Sequence, residues 1–287
     1  MNPFPISVVT LGPGSQTHEE DEALDFIPMP QGMNTFDMPR FPDIENPVAL
    51  AAAVALLQTL LARMRAWRFD TSPHPRLALE DCSPEVLRVV NDALGQGEVS
   101  AIVHEGDHIL RIQETVFAGV WRMRRETTDG ALRADWIEAC AVPVEIAGRA
   151  NAAGTGNLEI PVLPDGVMNA PVLLNEIRDV AAAFNPGDAA HVINLTLLPL
   201  TPPDLECLVN ALGSGPSVVL SRGYGNCRVS STALADTWWV QYYNNGDNLI
   251  LNTIEITTLP DVVPASADDY ADSVERLAEW IDALQAD

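Results

Sequence analysis

The chain carries one pattern twice. Leu94-Gly95-Gln96-Gly97 recurs as Leu212-Gly213-Ser214-Gly215, 118 positions later (94 to 212). At that spacing Ser83-Pro84 meets Thr201-Pro202, Leu87 meets Leu205 and Ala93 meets Ala211. Beyond the glycines the spacing drops by one, to 117 (121 to 238). It then pairs Thr115 with Thr232, Ala118 with Ala235, Trp121 with Trp238, Ile137-Glu138 with Ile254-Glu255 and Pro143 with Pro260. One single-residue gap in a turn region reconciles the two stretches, as a duplicated unit requires. Whatever the first copy folds into, the second must fold into as well.

Each copy opens with a helix. In the first, Asn46 is placed to cap, Pro47 stands at N1, and an Ala/Leu/Val run reaches Trp67. In the second, Leu173, Ile177, Val180 and Phe184 share one helical face. A short strand follows, 76–80 or 191–196. Ser83-Pro84 and Thr201-Pro202-Pro203-Asp204 then open a second helix, and Leu-Gly-x-Gly closes it. Four runs at hairpin spacing complete the unit: 99–104, 109–117, 119–124 and 132–139 in one copy, 218–222, 227–232, 237–243 and 249–257 in the other. The expected class is α+β: two pseudo-symmetric tandem repeats, each α-β-α followed by an antiparallel β-meander, with a C-terminal helix. The boundaries are a Pro-rich acidic arm at 1–37, repeat 1 at 38–147, a Gly/Ala/Asn-rich linker at 148–159, repeat 2 at 160–265 and the final helix at 266–287. That helix has no counterpart mid-chain and is expected to cover an edge or the repeat junction.

Composition narrows the chemistry. The 287 residues hold 40 acidic against 16 basic side chains, a net charge of −24, and every basic residue is Arg. So acidic a chain, without a basic run, is repelled by nucleic acid and by anionic lipid. The absence of Lys removes P-loop and Schiff-base chemistry together. The N-terminus has no basic segment or cleavage site of a secretory signal, and the apolar run from Pro47 to Ala62 is too short for a bilayer core of about 30 Å. Cys82, Cys140, Cys207 and Cys227 show no CxxC spacing and no disulfide framework. These features fit a cytoplasmic, reduced protein without membrane insertion.

Residues kept in both copies belong to the fold, and residues found in one are free to form a site. No Cys or His is kept in both, which excludes two identical metal sites. Gly223-Tyr224-Gly225-Asn226-Cys227 is the most pointed feature, a tight turn with a thiol at its exit, and is expected to contact a client protein or a metal. A thiolate there binds iron or zinc, or attacks a carbonyl. The plainer reading is a small residue opening a strand. Cys140, at the end of a strand, reads in the same two ways. His104 and His108 have H-x3-H spacing, but Glu105-Gly106-Asp107 between them marks a hairpin turn rather than a helical ligand pair. His18, His74 and His191 stand alone, and no nucleophile elbow or dinucleotide loop is present.

Several phrases together resemble the HupH/HyaF family of hydrogenase expression proteins. They are 94–100, Gln113 to Arg122, Asn194-Leu195-Thr196 with Leu198-Pro199-Leu200, 223–227, Trp238 to Tyr242, Ile27-Pro28-Met29-Pro30 and Leu259 to Val263. The similarity spans nearly the whole chain. It implies a non-catalytic chaperone or scaffold that matures an uptake nickel–iron hydrogenase, acting on an immature subunit before export. The expected partners are that subunit and other maturation proteins. No cofactor is expected. The alternative is a transient iron carrier using Cys227 and Cys140, and the third reading is a Cys hydrolase.

Overall fold

The computed structural model describes residues 38–40, 46–160, 165–223, 226–244 and 246–286. The expected arm at 1–37 and the phrase Ile27 to Pro30 lie outside the described residues, as do Tyr224 and Gly225.

The first copy contributes helix α1 (Pro47–Ala66), strand β1 (Arg76–Ala78), helix α2 (Pro84–Leu94) and the meander β2 (Val99–Glu105), β3 (His108–Glu114), β4 (Val120–Thr127) and β5 (Leu132–Ala139). Helix α3 (Val144–Ala153) follows. The second copy contributes α4 (Ala170–Ala183), β6 (His191–Asn194), a 3-10 turn (Leu195–Leu197), α5 (Pro202–Leu212), β7 (Ser217–Ser221), β8 (Asn226–Ser231), β9 (Thr237–Tyr243) and β10 (Leu249–Ile256). Helix α6 (Ala267–Ala286) ends it. The caps are those the sequence predicts. Asn46 accepts from the amides of Val48 and Ala49, Ser83 from Val86, and Thr201 and Asp204 form a capping box.

Among the described residues ten strands join one antiparallel sheet in the order β1-β5-β4-β3-β2-β7-β8-β9-β10-β6. The order reads the same from either end once each strand is replaced by its repeat partner. The halves meet where β2 pairs with β7, with Ala101 opposite Val219. Those two residues are 118 apart, so they are repeat equivalents facing each other. A pseudo-two-fold axis therefore passes between them, normal to the sheet. The turns repeat too. Gly95 and Gly213 have φ of 58° and 60°. A Cβ on Gly97 or Gly215 would run into the carbonyl oxygen of Thr115 or Thr232, so the shared Leu-Gly-x-Gly is a demand of backbone packing.

A two-fold normal to the sheet keeps both helical layers on one face. Over repeat 1, α1, α2 and α6 enclose Leu57, Leu60, Val90, Ile137 and Leu277. Over repeat 2, α4 and α5 enclose Leu174, Ile177, Leu208 and Ile254. The opposite face is one continuous apolar layer across both repeats, holding Ala101, Val219, Trp121 and Trp238. Helix α3 lies across it through Ile146 and Ala150, and residues 259–263 complete the cover. By length and composition α1 could cross a membrane. Its stripe of Ala53, Leu57, Leu60 and Met64 is spent on α2 and α6.

Two expectations need correction. The segment 148–159 is not all linker, because α3 continues to Ala153. Its Ala-rich sequence favours helix, and Ile146 and Ala150, one turn apart, bury against the sheet. Helix α6 does not cover the junction. It packs on α1, burying Tyr270, Leu277, Ile281 and Leu284. The reason is asymmetry between the copies: α1 has 20 residues and α4 has 14, so the longer helix needs a further partner.

Candidate functional site

The phrase 223–227 runs into β8. Asn226 begins that strand, and Cys227 points into the continuous apolar layer with 3% exposure. Burial pushes its thiol up to about 12, against a smaller opposing pull from its hydrogen bond with Tyr242. At neutral pH it is a protonated core thiol, the reverse of an activated nucleophile. Gly223 packs so closely on Glu98 that a Cβ would meet the Glu98 carboxylate.

Cys140 lies elsewhere. Between β5 and β8 stand β4, β3, β2 and β7. Five strand spacings of about 4.8 Å put the two thiols roughly 24 Å apart along the sheet. They cannot share an ion, so the carrier reading loses its paired site.

Around Cys140 the structure gathers groups that the sequence left scattered. Strand β1 pairs with β5, with Arg76 opposite Glu138. Continuing that register brings His74 level with Cys140. One donor atom from each of His74, Glu138 and Cys140 lies within 4.8 Å of the other two. Glu138 is 2% exposed. Its Oε1 accepts from Trp136 Nε1 at 2.8 Å and has Arg76 Nη1 at 3.7 Å. Its Oε2 lies 3.2 Å from His74 Nε2 but has no hydrogen-bond partner. The contact has the distance of a hydrogen bond without the direction. Glu145 Oε2 and the Tyr270 hydroxyl are also buried without partners. Burial first, then the charges of Glu138 and Glu145, pushes the Cys140 thiol up. Burial and Glu138 raise Glu145, and burial and Cys140 raise Tyr270.

Sequence reading missed His74, Glu138 and Glu145 as members of this cluster. The signal was the pairing of β1 with β5, which brings together segments far apart in the chain. The remaining thiols, Cys82 and Cys207, are raised by burial. His104 and His108 flank the β2–β3 turn, where Gly106 has φ +70.

Two surfaces stand out. A groove of about 580 Å³ runs beside α2, lined among others by Leu87, Arg88, Ser100, Ile102, Arg111 and Arg124. Glu126 neutralises Arg111 and Arg124, each at 3.1 Å. The other surface is the β6 end of the sheet. There Leu197 is 79% exposed, Ile250 57%, Val192 52% and Leu198 37%. Among the described residues strand β6 has a neighbour, β10, on one side only.

A family model described as the HupH hydrogenase expression protein, C-terminal conserved region, matches twice, at residues 50–155 and 167–284. The chain is 45% identical over 289 residues to the hydrogenase expression/formation protein HoxQ of Cupriavidus necator, covering 99% of this chain and 100% of that one. It is 41% identical to the hydrogenase expression/formation protein HupH of Rhodobacter capsulatus, covering 98% of each. It is 30% identical to the hydrogenase-1 operon protein HyaF of Escherichia coli, covering 94% of this chain and 93% of that one. Among solved structures, the hydrogenase expression protein HupH from Thiobacillus denitrificans aligns with a TM-score of 0.38 and 30% identity, over 40% of this chain and 96% of that one.

Proposed function

Because this chain belongs to the HupH hydrogenase expression protein family, we propose that it is a non-catalytic chaperone of hydrogenase maturation that holds an immature subunit through the β6 end of its sheet. The relatives' role in hydrogenase expression and formation supports the maturation part. The finer reading is an uptake nickel–iron enzyme whose subunit is held before export, together with other maturation proteins.

The observation that carries the docking surface is the exposed apolar edge of repeat 2. An open strand edge with Val192, Leu197 and Ile250 in water invites aggregation, and proteins commonly blunt such edges with charge or a cover. A client strand or apolar segment added there would satisfy both the backbone and the side chains. The charge of −24 would steer basic client segments toward the protein and repel acidic ones.

The test is capture of separately expressed hydrogenase subunits by the full-length protein, at low and high salt. The wild type should retain one immature subunit. Leu197→Asp with Ile250→Asp should lose it while the melting temperature stays close to the wild type, since both side chains are already exposed. Raising salt from 0.1 to 1 M shortens screening from about 10 Å to about 3 Å and should weaken capture several-fold. Undiminished capture by the double variant would move the surface elsewhere. Failure of the wild type to hold either subunit would sink the chaperone reading.

A further inference from the structure

We propose that His74, Glu138 and Cys140 form a binding site for a divalent transition metal ion of the zinc(II) or iron(II) class. Imidazole nitrogen, thiolate sulfur and carboxylate oxygen are the donors that such borderline ions take. A tetrahedral ion with bonds of about 2.0–2.3 Å holds its donors about 3.3–3.8 Å apart. The present separations, all within 4.8 Å, need a contraction of about 1.5 Å or less.

Three features of the site point to an ion. Glu138 Oε2 is buried without a hydrogen-bond partner, although His74 Nε2 is only 3.2 Å away. A buried carboxylate oxygen left without a hydrogen bond calls for a partner, and a bound ion would supply one. Next, Glu145 Oε2 and the Tyr270 hydroxyl are also buried and unpartnered, and both interact electrostatically with this cluster. Glu145 is thus the nearest reserve for a fourth ligand. Last, the His74 side chain keeps 20% of its surface exposed, so one of the three donors is open to an arriving ion while Glu138 and Cys140 are buried.

Repeat 2 is the internal control. It makes the same turn: the Cys140 amide donates to Gly119 O, and the Thr257 amide donates to Asp236 O. It also keeps the tryptophan: Trp121 Nε1 donates to Cys140 O at 2.9 Å, and Trp238 Nε1 to Thr257 O at 3.1 Å. Yet Thr257 replaces the thiol, Val262 stands where Glu145 does, and Ala190 holds the place of His74. The carboxylate that persists, Glu255, is satisfied by the Thr253 hydroxyl at 3.1 Å. The fold therefore has no need of the imidazole, the thiol or the second carboxylate that repeat 1 brings together.

Metal binding here is independent of the chaperone reading, because the isolated full-length protein is the whole assay. The chain, stripped of metal with a chelator, is titrated with cobalt(II), whose thiolate complexes absorb in the near ultraviolet. One cobalt per chain should bind with a thiolate-to-metal band, and zinc(II) should displace it. Cys140→Thr, which installs the repeat 2 residue, should abolish the band and leave the circular dichroism spectrum unchanged. His74→Ala should weaken affinity about ten-fold or more. Cys227→Ser should change neither. A wild type that binds no cobalt in several-fold excess overturns the site, as does a band that survives Cys140→Thr. Should Cys140→Thr fail to fold, His74→Ala decides: unchanged affinity there overturns the site equally.

Discussion

Two buried carboxylates set opposite pH limits. Asp204 is fully buried, a cost that its hydrogen bonds outweigh. It accepts from the amides of Met168, Asn169, Ala170 and Thr201 at 2.8–3.0 Å, clamping the start of α4 to the start of α5. Those donors hold its carboxyl well below the usual range. Its stabilisation is therefore present above the unfolded value near 4 and is lost as pH falls below it. Glu114 is the reverse case. Burial foremost lifts it to about 7, against the amide of Gly119. Its contribution is complete below about pH 4.5 and is lost as pH rises toward 7. Urea unfolding between pH 3 and 8 should show Glu114→Gln more stable than wild type at pH 8, by up to about 3 kcal/mol. The two should converge near pH 4. Asp204→Asn should cost roughly 2–3 kcal/mol at neutral pH, and the gap should narrow in acid. A flat difference across pH would refute either assignment. At this scale the sequence was legible where interactions are local. The caps at Asn46, Ser83 and Thr201 could be read from three or four consecutive residues. The His74 cluster could not, because its members meet only after β1 finds β5.

Elements were legible where periodicity was strong. The meander strands fall within a few residues of their expected bounds, because alternation and turn glycines mark them. Helix α3 was not, since glycine and asparagine between its alanines resemble a linker and just two of its side chains, Ile146 and Ala150, are fully buried. Nor could the docking of α6 be foreseen. Its stripe was plain, but a stripe does not name the surface it meets. Its place on α1 makes a definite expectation. Leu277 is fully buried in the layer shared by α1, α2 and α6. Leu277→Ala should cost about 2–5 kcal/mol in a denaturant titration. Hydrogen exchange should then quicken first in α1 and α6, with α4 and α5 still protected. Uniform loss of protection over both repeats would show that the helical layers are not separable.

At the scale of the whole molecule, one strand pair joins the two halves of the sheet. Among the described residues no helix core spans both repeats on the helical face; β2–β7 pairing, the layer under α3 and the docking of α6 on α1 hold them together. A chain cut after residue 160 should therefore reassemble. Co-expressed halves should elute as one complex of the full mass in size-exclusion chromatography with light scattering. Each half alone, left with a bare β2 or β7 edge, should self-associate. Halves that stay monomeric when mixed would mean that the junction needs chain continuity. The duplication that reveals this architecture was visible at once, whereas the junction itself was not, because either edge of each meander could have faced the other.

Ala101 opposite Val219 has an evolutionary corollary. A lone ancestral unit could have paired through the same edge with a copy of itself, as an ordinary symmetric homodimer. In that state every new side chain arrives in duplicate, and a change that helps one half burdens the other. Fusion of the two genes released the halves from that bond. One lineage of the turn after the meander could acquire Cys140 beside His74 while its sister settled on Thr257. One rim could stay polar while the other exposed Leu197. Heterogeneity of this kind is closed to a true homodimer and open to its tandem descendant.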